Sequence, residues 1–371
     1  MGENSHRVAS LDLLRGLAAY SVAVPHFFIY NAVGDKYFES VSVLAVEIFF
    51  VLSGYVLAPQ ILQCISGGRS INLLVFLVRR WMRTVPPYLV ALVFISVMFN
   101  EFGSVDFLHY ALYIQNLYHI AIERDYYPVA WSLSIEEWFY VTFPVVVFAC
   151  SLLFKTKSLR FIGSIAIAYC ALFIVARSFF GDPLHWGEQV RRVVAFRLDS
   201  IGYGFLLYFV TEKVWPGLMR RVRVEAVLAA LLASAVLAIC VTIYAGGDSH
   251  IAQNVFPYAA GMFGALCILS AIKLEKIFER RAWLGATGLF VGKLSYSVYL
   301  FHLIFVLLLK SNFGHSNLTI QVMAYVAVMT AFSTMFYYFF ESPILAARPK
   351  YRGLRAMAYQ PGPILNAENS V

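Results

Sequence analysis

The chain has 371 residues, 60% hydrophobic and only 13% charged, with a formal net charge of +8 and a mean hydropathy of +0.71. A soluble domain carries about a quarter charged residues, so this composition excludes a water-soluble globule. The basic residues stand in short clusters between apolar runs, which is a membrane-topology pattern and argues against nucleic acid as a partner. The five cysteines (Cys64, Cys150, Cys170, Cys240 and Cys267) lie mostly in or beside apolar runs without CxxC spacing. They read as small core residues and not as a disulfide or metal framework.

A bilayer core about 30 Å thick needs roughly 20 apolar residues in a helix. Spans are predicted near 11–30, 41–62, 84–99, 134–154, 159–178, 195–211, 224–245, 251–272, 291–310 and 320–340. The first contains Arg15 and lacks a small-x-small cleavage site, so it reads as a retained span and not a cleaved leader. The third is short, and 105–119 reads as a His- and Tyr-bearing helix in an external loop. The expected fold is an all-α polytopic membrane protein, a bundle of about ten transmembrane helices without internal repeats. Residues 1–345 form the membrane domain and 346–371 a short basic tail.

The basic residues orient this bundle. One set of loops holds Arg7; Arg69, Arg79, Arg80 and Arg83; Lys155, Lys157 and Arg160; Lys213, Arg220, Arg221 and Arg223. It continues with Lys273, Lys276, Arg280 and Arg281, then Arg348, Lys350, Arg352 and Arg355. The alternate loops hold only Lys36, Arg124, Arg177, Arg191, Arg192, Arg197 and Lys310. The positive-inside rule then places both termini in the cytoplasm; the membrane is expected to be a bacterial inner membrane.

Charged and polar groups at membrane depth are costly unless paired or hydrated, so each is a candidate for function. In the first span, Arg15 and His26 are eleven residues apart. Eleven helical steps close to within about 20° of three turns, so both project from one face, about 16 Å apart along the axis. Pro25 precedes His26 and is a place for a kink. An imidazole suits proton transfer near neutral pH; the alternative is a histidine hydrogen-bonded within the bundle. In the second span Glu47 needs a cationic partner, for which Arg15 is available, while Ser53-Gly54 is a small pair suited to close helix packing.

Arg80 and Arg83, three apart at a predicted helix start, present two guanidinium forks suited to phosphate, or else form a plain cytoplasmic anchor. Trp131-Ser132-Leu133-Ser134 opens the fourth span, with Ser134 placed as an N-cap and Glu137 as its capping-box partner. Glu136 is placed to orient a histidine or hold a sugar hydroxyl. In the ninth span Ser295, Tyr299 and His302 form a polar stripe at i, i+4 and i+7. A polar cavity inside the bundle accounts for these groups together.

Taken in order, these segments resemble the acyltransferase-3 family of membrane acyltransferases. The resemblance rests on Leu11-Asp12-Leu13-Leu14-Arg15-Gly16 with His26, on Phe49-Phe50-Val51-Leu52-Ser53-Gly54, and on Arg80-x-x-Arg83 with Pro86 and Tyr88. It continues through Trp131-Ser132-Leu133 with Glu136 and Tyr140, and Ser295-Tyr296-Ser297 with Tyr299-Leu300 and His302, to Glu341-x-Pro343. Glu47 departs from the family, which usually carries Asp there.

The resemblance implies transfer of an acyl group, most often acetyl, from a cytoplasmic acyl-CoA such as acetyl-CoA to a hydroxyl. Acceptors in the family are glycans, lipid-linked sugars or glycosylated small molecules. On this reading His26 is general base or transient acyl carrier, Arg15 steers the donor or steadies charge at the carbonyl, and Glu136 completes the catalytic set. Arg80 and Arg83 hold the donor phosphates, and Glu47, Trp131, Ser132, Ser295, Tyr299 and His302 contact substrate. No metal or tightly bound cofactor is implied, and acetyl-CoA enters as co-substrate. A proton-coupled transporter or flippase is the competing class, because intramembrane Arg, His and Glu also mark proton relays. The lack of a repeat counts against it.

Overall fold

A computed structural model describes residues 8–31, 36–67, 70–181, 185–216, 228–229, 232–237, 240, 250–313 and 317–351. These residues are mostly helical, with no strand among them. In chain order the helices are α1 (Ala9–Tyr30), α2 (Lys36–Gly67), α3 (Ser70–Met98), the short α4 (Val105–Ala111), α5 (Ala130–Leu153) and α6 (Leu159–Phe180). They continue with α7 (Leu198–Phe209), α8 (His250–Arg280), α9 (Ala282–Phe313), α10 (Leu318–Phe336) and α11 (Ser342–Ala346), the last two joined by a π-turn over Tyr337–Glu341.

Among the described residues, 8 helices are long and apolar enough to cross a membrane. Against the ten expected spans, the one near 195–211 is a helix of 12 residues followed by a π-turn of 5 and is not among these eight. The one near 224–245 lies mostly outside the described residues, as does the tail from 352 onward. Only 105–111 of the expected 105–119 loop helix is helical.

The third span differs more. Its helix begins at Ser70, 14 residues before the expected start, and runs unbroken through Arg79–Arg83, Pro86 and Pro87. The apolar run Ile71–Val78 continues the helix on the far side of the arginines, so the basic motif lies in a helix interior instead of a helix start. The fifth helix also starts early, at Ala130. Ser134 is therefore inside it and accepts a bond from Gln115 Nε2 at 2.6 Å instead of capping.

The bundle turns apolar side chains outward. Phe94, Leu172, Phe179, Met335 and Phe339 are all exposed, a surface that would associate in water and is at home against lipid tails. Helix α1 lacks a capping side chain at Val8. Glu275 of α8 supplies the missing acceptor, taking the Ala9 and Ser10 amides at 2.9 and 2.8 Å, where the helix dipole also favours a carboxylate.

Small residues set the closest helix contacts. On α1 and α9, a Cβ at Gly16 would run into Val291, and one at Gly288 or Gly292 into Ala9 or Asp12. On α2 and α7 the contact is reciprocal: a Cβ at Gly54 would overlap the Ile201 carbonyl oxygen, and one at Gly204 the Val51 carbonyl oxygen. Backbone is rigid in a helix, so the clash is relieved only by separating the helices. Gly54→Ala and Gly204→Ala are each expected to destabilise the protein by about 1–3 kcal/mol or more, the usual cost of overpacking. A fall in the thermal midpoint of detergent-purified protein, followed by size-exclusion chromatography, reads this. Unchanged midpoints for both variants would show that α2 and α7 do not meet at these glycines.

Candidate functional site

Five helices contribute to a cavity that is partly open to the outside. Helix α1 supplies Arg15. From α2 come Val46, Phe49, Phe50, Ser53, Val56 and Leu57, and from α3 Arg80, Arg83 and Thr84. Ser132, Leu133, Glu136 and Tyr140 come from α5, and Ser295, Tyr296 and Tyr299 from α9. Tyr296 ties the wall together by donating to the Thr84 carbonyl at 2.7 Å. Helix register fixes the cavity's polarity: the Arg15, Leu57, Arg80, Arg83 and Tyr140 end is guanidinium-rich, and the Val46, Phe49, Ser132 and Tyr299 end is apolar and hydroxylic.

At the guanidinium end, Arg80 donates from Nη2 to Gln60 Oε1 at 2.6 Å, while its buried Nε has no partner among the described residues. Arg83 makes no hydrogen bond among the described residues. Arg79 donates to the Pro349 carbonyl at 2.7 Å and lies over the Tyr351 ring at 5.2 Å. The first residues beyond α11 thus fold back onto α3. This brings in Arg348, whose guanidinium is lowered to about 10 by burial and then by the charges of Arg83 and Arg79. Four arginines converge here, and no spacing in the sequence joins Arg348 to the other three.

Glu136 is the carboxylate of the cavity wall. Its Oε1 accepts from Ser53 Oγ at 2.9 Å and its Oε2 from Tyr140 OH at 2.9 Å. It acts electrostatically on Arg15, as do Asp12 and the like charge of Arg83. Glu136 therefore orients two hydroxyls and touches neither histidine. Ser53, read from sequence as a packing residue, and Tyr140 are among the site residues to which reasoning from sequence gave no role. Tyr140 stands one turn beyond Glu136, a spacing that was visible.

At the other end Tyr299 OH and Ser132 Oγ share a 2.6 Å hydrogen bond, and Tyr299 also donates to the Val129 carbonyl at 3.1 Å. Ser295 is held by the Gly292 carbonyl at 2.8 Å. One turn beyond Tyr299, fully buried His302 meets His26 across the α1–α9 contact, with Nε2 of His302 2.8 Å from Nδ1 of His26. The rings are 19° from parallel with centroids 5.0 Å apart. Helix α1 is continuous through Pro25, and Tyr325 of α10 braces the spot by donating to the Ala23 carbonyl at 3.1 Å. His26 and His302 thus lie beside the cavity, behind Tyr299, while Arg15 lines it.

Two expected site residues stand apart. Glu47 is fully buried and paired with Arg197, which also reaches Ser200, so its cation is Arg197 and the expected Arg15 pairing is corrected. The sequence could not show this, because Arg197 read as a loop residue; it lies at the N-terminus of α7, against α2. Arg177, also counted with the loops, is instead buried against Asp199 in a two-pronged bond of 3.0 and 3.0 Å. Trp131 is buried, edge-on to Phe50 at 5.8 Å, with the Arg191 guanidinium 5.3 Å from its ring centre.

Residues 8–338 match a family model described as an acyltransferase domain. The O-acetyltransferase OatA of Staphylococcus aureus (strain NCTC 8325 / PS 47) is 25% identical over 376 residues, which cover 95% of this chain and 58% of that protein. The putative O-acetyltransferase SACOL0978 of Staphylococcus aureus (strain COL) is 23% identical over 383 residues, covering 95% of this chain and 59% of that protein. The chain therefore spans less than two thirds of the length of these relatives. No solved structure gives a significant match.

Proposed function

The chain belongs to the acyltransferase-3 family, and from that premise we propose that it is a membrane O-acetyltransferase. In this reading it moves an acetyl group from acetyl-CoA to a hydroxyl of a glycan, a lipid-linked sugar or a glycosylated small molecule. The names of the two relatives support O-acetyl transfer. The observation that carries the reading is the single cavity that joins an arginine-rich end to a hydroxyl-lined end backed by two histidines.

The donor is a polyanion with a thioester at its tip. Arg80 and Arg83, with Arg79 and Arg348 beside them, offer guanidinium forks to its phosphates, and a fork binds a phosphate more specifically than an ammonium does. The arginine end then faces the cytoplasm, where CoA thioesters are made, in keeping with the basic loops on that side. Arg15 lies deeper in the wall, placed to take up negative charge as the carbonyl carbon becomes tetrahedral. A hydroxyl is a weak nucleophile at its own pKa, and His26 is the base that receives its proton. Glu136 holds Ser53 and Tyr140 in place at the wall beside Arg15.

The donor arm of this reading has a direct test with purified protein, labelled acetyl-CoA and a glycan panel. Arg80→Ala and Arg83→Ala are each expected to raise the KM for acetyl-CoA about tenfold or more, with a smaller fall in kcat, because the phosphates are remote from the reacting carbonyl. Lys at either position restores binding poorly. An unchanged KM in the double variant would return the two arginines to the role of membrane anchors.

A further inference from the structure

The hydrogen bonds around His302 determine which nitrogen of His26 is free. His302 Nδ1 lies 2.6 Å from the Tyr299 carbonyl oxygen. A backbone carbonyl only accepts, so this nitrogen carries a proton. In a neutral imidazole the other nitrogen is then a bare acceptor, and it is His302 Nε2 that stands 2.8 Å from His26 Nδ1. His26 Nδ1 must therefore be the donor, which leaves the lone pair of His26 on Nε2. The order of donors and acceptors runs one way, from His26 through His302 to the α9 backbone, and each member fixes the next.

We propose that His302 is a positioning residue that holds His26 in the tautomer with a basic Nε2 and stabilises the imidazolium formed when that nitrogen takes a proton. The proposal rests on the reading of His26 as base. As the acceptor oxygen bonds to the acyl carbon, the hydroxyl proton passes to His26 Nε2. The electron pair of the broken C–S bond leaves on sulfur, and the proton held by His26 passes to the thiolate, which gives the free thiol and returns His26 to neutrality. During that interval His26 Nδ1–H still donates to His302 Nε2, now as a charge-assisted bond, which is stronger than a neutral one. A buried carboxylate does this work in hydrolytic triads. Here a neutral imidazole tethered to a helix carbonyl does it, in a region already carrying Arg191 and Arg192 within electrostatic reach of His26. The bond also explains why His302 is completely buried yet polar, a placement that contact with a glycan would not require.

The test is a set of variants assayed for acetyl transfer and normalised to membrane-inserted protein. His302→Ala is expected to lower kcat about tenfold to a hundredfold, less than loss of the base itself, while KM for acetyl-CoA and for the acceptor stays within about twofold. His302→Gln places an amide oxygen near the position of Nε2 and should recover most of the lost rate, and the shorter His302→Asn should not. In a His26→Ala background, adding His302→Ala should cost nothing further, because His302 acts only through His26.

An unchanged kcat in His302→Ala, or a further loss on adding it to His26→Ala, overturns the proposal. If His302→Ala does not insert, the Gln and Asn variants decide alone, and equal activity in the two overturns it. A fully active His26→Ala beside an inactive His302→Ala would instead make His302 the base and remove the underlying reading as well.

Discussion

His26→Ala is expected to insert and fold normally and to lose acetyl transfer at least about a hundredfold, the lower range for removal of a general base. Normal folding follows from its surroundings: His26 is only partly buried, and its removal leaves His302 Nε2, an acceptor, without its donor, with no charge stranded. The large kinetic effect follows because the base itself is removed, while the neighbouring imidazole, His302, is completely buried. His26→Gln has an amide but no basic nitrogen, so it should be nearly as inactive. Turnover assays with detergent-solubilised protein, quantified against inserted enzyme, give the comparison. A Gln variant within about tenfold of the parent would mean that the histidine organises the site without accepting a proton.

The largest effect on stability is expected at Glu47. Both Glu47 and Arg197 are fully buried, and among the described residues Ser200 is the only other side chain that the arginine engages by a hydrogen bond. Glu47→Ala would leave the Arg197 guanidinium in an apolar interior without its countercharge, at a cost of about 3–5 kcal/mol. Replacing both residues with Leu removes the stranded charge and should recover part of the loss, so the two single changes are strongly non-additive. Thermal unfolding of the three variants in detergent reads this directly. If Glu47→Ala kept the parental midpoint and raised the KM for acceptor, Glu47 would be a substrate ligand, as its position in the second span suggests from sequence.

The difference between those two residues shows what the sequence makes legible. His26 and Arg15 could be placed on one helix face from spacing alone, because the argument stays within one helix. The same holds for the Ser295, Tyr299 and His302 stripe. Which helices bring their polar faces together was not legible. Glu47 met Arg197, 150 residues away, and His26 met His302, 276 residues away. Neither pairing leaves a mark on local periodicity.

Helix ends were the other weak point. In lipid, a run of arginines inside an apolar stretch looks like a boundary, since cost rises with depth. In α3 those arginines instead turn toward the cavity and toward the Arg348–Tyr351 segment, so the helix passes through them. Membership of the family was legible because it depends on several short motifs in order, not on contacts.

This bundle is expected to transfer an acetyl group to a hydroxyl instead of transporting a glycan, and reconstitution in proteoliposomes decides between the two. Purified protein is reconstituted, acetyl-CoA labelled in the acetyl group is supplied on the side facing the arginine end, and a panel of glycans is analysed by mass spectrometry. The expected result is release of free CoA matched by an acetylated glycan, and neither with the His26→Ala protein. Movement of an unmodified glycan across the bilayer, coupled to a proton gradient and without consumption of acetyl-CoA, would contradict it.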